Sequence, residues 1–145
     1  MHLATAAILG LCSFATKVLH CPLLPSVPWC PLHHVVLIDP TPHKEEHYRH
    51  IFLVDYVPDV EINAKTAIEL CMGKSVPGKV RIFLVDSVKK TEVIRLVQEK
   101  IVNGDFYVIR HETNNFEYHL YRNNCWRFSR NMTQELFDRL PISLR

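Results

Sequence analysis

Apolar residues change their spacing several times along the chain, and each change marks an element. His34-Val35-Val36-Leu37-Ile38 is a β-branched, apolar run closed by Asp39-Pro40, and Ile51-Phe52-Leu53-Val54-Asp55-Tyr56-Val57 is a second, closed by Pro58-Asp59. Runs of this length bounded by turn residues predict two strands joined by a polar connection. Between 61 and 72 the period lengthens: Ala64, Ala67, Ile68, Cys71 and Met72 fall at helical spacing, and Gly73 stands where a glycine ends a helix. Val80 to Val85 returns to strand character, and Val93, Ile94, Val97 and Ile101 mark a helix that stops at Asn103-Gly104. Residues 106–110 and the stretch around 118–121 are further strand candidates. In the last element Cys125, Phe128, Ser129, Met132, Leu136 and Leu140 share one helical face, Asn123-Asn124 offers the N-cap, and Pro141 supplies the stop.

Ahead of these elements the pattern differs. Residues 3–15 are apolar and uncharged but have no Lys or Arg before them, and thirteen positions fall short of the roughly 20 needed to span a bilayer. Pro22, Pro25, Pro28 and Pro31 then exclude helix and interior strand. The pattern thus divides the chain into a leader and linker, 1–31, and a folded domain, 32–145. A secretory or organellar leader at 1–15 stays open beside an ordinary loose leader.

Composition narrows the class. The chain has 145 residues, 48% of them hydrophobic and 22% charged, the balance of one globular domain. Seventeen basic against fifteen acidic residues leave a net charge of +2, too little for a strong electrostatic footprint on nucleic acid. Five cysteines, three of them within the first thirty residues, do not fit a fully paired secreted framework. A reducing, cytoplasmic compartment is the expectation. Oligomeric state is not legible.

Cys125 is the first candidate for chemistry. A thiol in the first turn of a helix sees the positive end of the helix dipole and unpaired N–H groups, both of which favour thiolate. The same N–H groups can stabilise an oxyanion formed by attack on an acyl carbon. The alternative is a buried cysteine that fills the apolar stripe as a small hydrophobe. Periodicity leaves both open.

The segment Tyr118-His119-Leu120-Tyr121-Arg122-Asn123-Asn124-Cys125-Trp126-Arg127-Phe128-Ser129 resembles the nucleophile segment of the permuted papain-like (NlpC/P60-type) cysteine enzymes. Asn124, Cys125, Phe128 and Ser129 match the Asn-Cys-Asn-x-Phe-Ser pattern of the desumoylating isopeptidase (PPPDE) family. Asn124, Cys125 and Phe128 match the Asn-Cys-Glu-His-Phe pattern of the lecithin retinol acyltransferase-like (LRAT-like) family. In both families His comes first, on an early strand, and Cys follows on a late helix. That order implies His34 as general base. The place of the third member in the acyltransferase-like family falls on Asp55, within Leu53-Val54-Asp55-Tyr56-Val57-Pro58. A carboxylate in an apolar run needs a partner if buried, and an imidazole would serve; an outward-facing polar residue is the other reading. His33 competes with His34, because strand alternation points the two to opposite faces.

The resemblance implies an α+β domain, an antiparallel sheet with packed helices in circularly permuted papain-like order. It also implies a thiol hydrolase, peptidase- or isopeptidase-like, working through an acyl-thioester with Cys125, His34 and Asp55. A lipid acyltransferase or phospholipase, or a non-catalytic interaction module that keeps the fold, is the alternative. The substrate would be a peptide, a protein or an acyl lipid, with no cofactor and no integral membrane span.

Other constellations are weaker. His43, His47 and His50, with Cys21 or Cys30, could approach a zinc ligand set, but no metal-binding motif accompanies them, so no metal is expected. Asn131-Met132-Thr133 is a glycosylation sequon within a predicted helix. Arg122, Arg127, Arg130 and Arg139 make the C-terminal region basic, a pattern that suits either scattered solvated charge or attraction of an acidic substrate or surface.

Overall fold

The computed structural model describes residues 15–22, 33–40, 46–110 and 117–139. Consecutive strands lie as antiparallel neighbours, and the strands pair largely in chain order. β1 (Ala15–Cys21), β2 (His33–Asp39), β3 (His47–Pro58), β4 (Val76–Lys89) and β5 (Tyr107–Ile109) lie side by side in that sequence. β6 (Glu117–Tyr118) pairs with the start of β4 through Val76↔Tyr118 and Pro77↔Glu117. Three helices complete the described residues: α1 (Ala64–Cys71), α2 (Val93–Asn103), entered through a 3-10 turn, and α3 (Cys125–Arg139). The expected α+β class with an antiparallel sheet is what the chain adopts. No helix among the described residues is long and apolar enough to cross a membrane.

Both faces of the sheet are covered, which is why its central strands read as continuous apolar runs rather than as alternating ones. Val35 and Leu37 of β2, Ile51 and Leu53 of β3, and Phe83 and Val85 of β4 pack with Val93 and Val97 of α2. On the opposite face Val36, Ile38, Val54 and Tyr56 pack with Leu70 of α1 and with Phe128, Met132 and Leu136 of α3. Each fully buried side chain of this kind contributes about 1.5 to 3 kcal/mol. Gly104, at φ 69°, takes the left-handed conformation that ends α2, where the sequence places the stop.

Two expectations change. Residues 15–21, assigned from sequence to the leader, form β1, which pairs along its whole length with β2 from Ala15↔Asp39 to Cys21↔His33. Leu19 and Cys21 are buried on either side of the exposed His20, a half-buried edge strand that the nearby prolines obscured. The polar connection is shorter than expected, because β3 begins at His47 and takes both His47 and His50 into the sheet. His43, the proline-rich 23–32, the leader before Ala15, and Leu140-Pro141 lie outside the described residues. Among the described residues no cluster of His, Cys, Asp and Glu is arranged to hold a metal ion.

Candidate active site

The register of three strands sets the site. Val35 pairs with Asp55, and Asp55 pairs with Arg81, so antiparallel pairing puts Asp55 and Arg81 on the α2 face of the sheet. His33 lies two residues before Val35 and therefore shares that face. Asp55 is completely buried. A carboxylate taken out of water must be matched by positive charge or by hydrogen bonds, and here both are present. Arg81 Nε donates to Asp55 Oδ1 at 2.9 Å and Arg81 Nη2 donates to Oδ2, a two-pronged clamp. The guanidinium lies against the Phe83 and Phe106 rings, 5.5 and 5.6 Å from their centroids. His33 Nε2 lies 2.8 Å from Asp55 Oδ2 and donates its proton to it.

α3 crosses the opposite face, but its first residue is Cys125 and the first residue of β2 is His33, so thiol and imidazole meet where helix and strand both begin. They line one cavity of about 300 Å3 together with Tyr118, Leu120, Tyr121, Asn124 and Trp126. His33 Nδ1 is buried and makes no conventional hydrogen bond among the described residues. The Cys125 thiol stands close enough for each group to shift the other's titration.

The start of α3 is held by its own sequence. Asn124 Oδ1 accepts the Arg127 N–H at 3.0 Å, the N-cap bond, while its Nδ2 donates to the Leu120 carbonyl at 2.6 Å. His119 Nδ1 accepts the N–H groups of Tyr121 and Arg122 and so ties the preceding turn. The asparagine before the cysteine thus has a structural task, fixing the turn from which the thiol projects.

Electrostatics separate Cys125 from an ordinary buried cysteine. Burial works to raise its pKa, but the His33 imidazole, the His34 backbone N–H and the Tyr118 hydroxyl together bring it below the usual thiol value. Cys21, which pairs with His33 from β1 and is buried to a similar degree, is pushed up to about 12 by burial and by the Asp55 charge. Two buried thiols near one carboxylate therefore move in opposite directions, and among the described residues it is Cys125 whose sulfur has the His33, His34 and Tyr118 groups beside it. Burial alone would lower the His33 pKa, yet the Asp55 hydrogen bond and the proximity of the Cys125 sulfur carry it up to about 9. Asp55 is held below the ordinary carboxylate range: burial opposes this, and the Arg81 charge and the His33 hydrogen bond overcome it. The shifts of Cys125, His33 and Asp55 all favour the charged forms, in a series that ends at the Arg81 guanidinium.

The structure brings Cys125 and Asp55 together as sequence reasoning expected, but through His33, not His34. His34 faces α3, where its Nδ1 lies 3.0 Å from Ser129 Oγ and its ring packs against His20 and Trp126. The expectation failed for a physical reason. Val36 and Ile38 do place His34 on the helix-covered face, but the thiol belongs to the first turn and meets the ring that faces away from the rest of the helix. Arg81 and Tyr118 were missed. A charged residue inside Val80-Arg81-Ile82-Phe83 was the available signal for Arg81, since it matches Asp55 inside its own apolar run. Tyr118 stood in the quoted segment without a role. Comparison with protein-family models, with curated proteins and with solved structures finds no match to this chain.

Proposed function

We propose that the chain is a thiol enzyme that cleaves an amide or ester through an acyl-thioester, with Cys125 as nucleophile and His33 as general acid and base. The observation that carries this reading is the buried series Arg81–Asp55–His33 ending at a depressed-pKa thiol in a walled cleft. Such a series is costly to bury, and a merely structural role would be met more cheaply by apolar residues. The late cysteine helix and the early histidine strand agree with the permuted papain-like order, and a hydrolase of peptidase or isopeptidase type is the form of the activity we favour.

In the proposed cycle the Cys125 thiolate attacks the carbonyl carbon and the carbonyl π electrons move to oxygen. N–H groups in the first turn of α3 would stabilise that oxyanion. His33 Nδ1–H then gives its proton to the leaving nitrogen or oxygen, the C–N or C–O bond breaks, and the acyl group remains on sulfur. The now neutral His33 takes a proton from water, whose oxygen attacks the thioester, and the thiolate and imidazolium are restored. Asp55 keeps the Nε2–H of His33 engaged, so that Nδ1 is the nitrogen presented to sulfur, and Arg81 keeps Asp55 ionised and in place.

Alkylation of Cys125 by iodoacetamide, followed by intact mass across pH, tests the reading. The expected rate follows a thiolate whose apparent pKa lies below the ordinary value of about 8.5. An ordinary pKa in the folded protein overturns the proposal and favours an interaction module. Turnover of an activated ester, which needs the imidazolium as well, should rise through the Cys125 pKa and fall as pH passes about 9, where His33 loses its proton.

A further inference from the structure

A second cavity, of about 590 Å3, opens on the other side of Trp126, whose indole lines both. Its polar lining comes from three elements: His20 of β1, His34 of β2, and Ser129, Arg130 and Thr133 of α3. Every ionisable group in that lining is basic, and Arg130 has no acidic partner among the described residues. The neighbouring cleft around Cys125 is lined mainly by Tyr118, Leu120, Tyr121 and Trp126, with Asn124 and His33.

The hydrogen-bond network fixes how His34 faces this groove. Ser129 Oγ lies 2.9 Å from the Trp126 carbonyl and 3.0 Å from His34 Nδ1; with its one proton given to the carbonyl, it accepts from Nδ1, and we assign the His34 tautomer on that basis. Nδ1 therefore carries the proton, and Nε2 of the neutral ring is the unprotonated nitrogen. The His20 ring packs edge-on at 4.4 Å. A second proton on His34 would meet His20 and His33 beside it, in a groove whose described lining holds Arg130 and no carboxylate. An oxyanion bound beside Arg130 would supply the missing negative charge.

We infer that this groove is an oxyanion-binding subsite, in which Arg130 pairs with a phosphate or carboxylate and His34 takes up a proton at Nε2 to complete the contact. Its role as a subsite for the anionic part of a substrate held across Trp126 rests on the thiol-enzyme reading; anion binding itself does not. The adjacent histidines of β2 then divide the work, His33 serving the thiol and His34 the anion. Binding draws in a proton, so affinity rises as pH falls. Protonation of His34 is disfavoured by partial burial and by His20 and His33, which hold its pKa below the usual value.

The test uses the full chain carrying Cys125→Ala, titrated with inorganic phosphate and, separately, with succinate, while histidine ring resonances are followed by NMR. The expected result is a saturable shift of the His34 and His20 signals, a rise in the His34 titration midpoint, and roughly tenfold weaker binding in Arg130→Ala, the usual scale for losing a charge-assisted contact. A response to phosphate alone assigns the site to phosphate groups, and a response to succinate alone assigns it to carboxylates. No saturable shift with either anion, or shifts that persist unchanged in Arg130→Ala and in His34→Asn, overturns the inference. Failure of the thiol-enzyme reading would show separately, as an ordinary Cys125 pKa in the wild-type chain while the anion still binds.

Discussion

His33 and His34 are neighbours in one strand, yet the sheet between them gives them opposite chemistry. His33 is buried against a carboxylate that is itself clamped by Arg81, and its pKa rises to about 9. His34 is half-buried, faces a serine hydroxyl and basic neighbours, and its pKa falls. Burial works against the charged form in both cases. What decides the sign is the partner: an ion in contact outweighs desolvation on one face, and nothing offsets it on the other.

The sharpest way to break this contrast is to remove each ring in turn. His33→Asn should return Cys125 toward an ordinary thiol and slow its alkylation by uncharged iodoacetamide at pH 7 by roughly 10- to 30-fold, as the thiolate fraction drops. Turnover should fall further, by on the order of 10^4-fold, because the proton donor is gone as well. His34→Asn should change the alkylation rate by less than about threefold, since its contribution to the sulfur is a backbone N–H that the substitution retains. Equal losses in the two variants would show that the division between the faces is wrong.

The second test separates stability from reactivity at the buried carboxylate. Arg81→Met strands Asp55 beside one imidazolium and should cost about 3 to 5 kcal/mol in denaturant unfolding. Asp55→Leu combined with Arg81→Met removes both charges and should recover most of that loss, while the Cys125 pKa rises above its wild-type value because His33 is no longer held as imidazolium. The pH dependence follows the sign of the shift. The folded Asp55 pKa lies below its unfolded value of about 3.9, so its contribution is complete above that pH and is lost as pH falls through the folded value. Wild type should show this acid loss of stability, and the double variant should lack it. Persistence of the full acid step in the double variant would assign it to other carboxylates.

A smaller effect is expected at Tyr118. Its hydroxyl is one of several donors to the sulfur, and its ring stacks on Tyr56 with centroids 5.5 Å apart. Tyr118→Phe keeps the stack and removes the donor, so the Cys125 pKa should rise by about one unit with little change in unfolding midpoint, in keeping with a hydrogen bond to a charged group of about 1.5 to 3 kcal/mol shared among several donors. An unchanged thiol pKa would reduce Tyr118 to a packing residue.

These effects also mark what could be read from residues alone. The apolar runs of β2 and β3, the stop of α2 at Gly104 and the stripe of α3 are local patterns, and they placed Cys125 at a helix start. Asp55 was legible as a polar intruder in an apolar run. Arg81 was not, because its meaning depends on the β3–β4 register, which pairs two intruders far apart in sequence. The choice between His33 and His34 depended on where along the strand the helix begins, a tertiary fact that alternation cannot supply. β1 escaped notice because only Leu19 and Cys21 are buried, too short an alternation to stand out beside a proline-rich segment.

The mildest perturbation tests the tautomer assigned to His34. In Ser129→Ala, Nδ1–H loses its acceptor and the Trp126 carbonyl loses one of its donors, a net cost of about 1 kcal/mol for a neutral, part-buried pair. Freed from Ser129, the ring can carry its proton on either nitrogen, so the two tautomers should approach comparable populations, visible in the nitrogen chemical shifts of His34 by NMR. The reactivity of Cys125 should not change, because Ser129 touches the groove and not the thiol. If the wild-type ring instead carries its proton on Nε2, then Ser129 is the donor to His34, and the groove presents an N–H donor to an anion without any uptake of a proton. Phosphate affinity would then be flat across the range in which His34 titrates, whereas the Nδ1–H tautomer requires it to rise as pH falls.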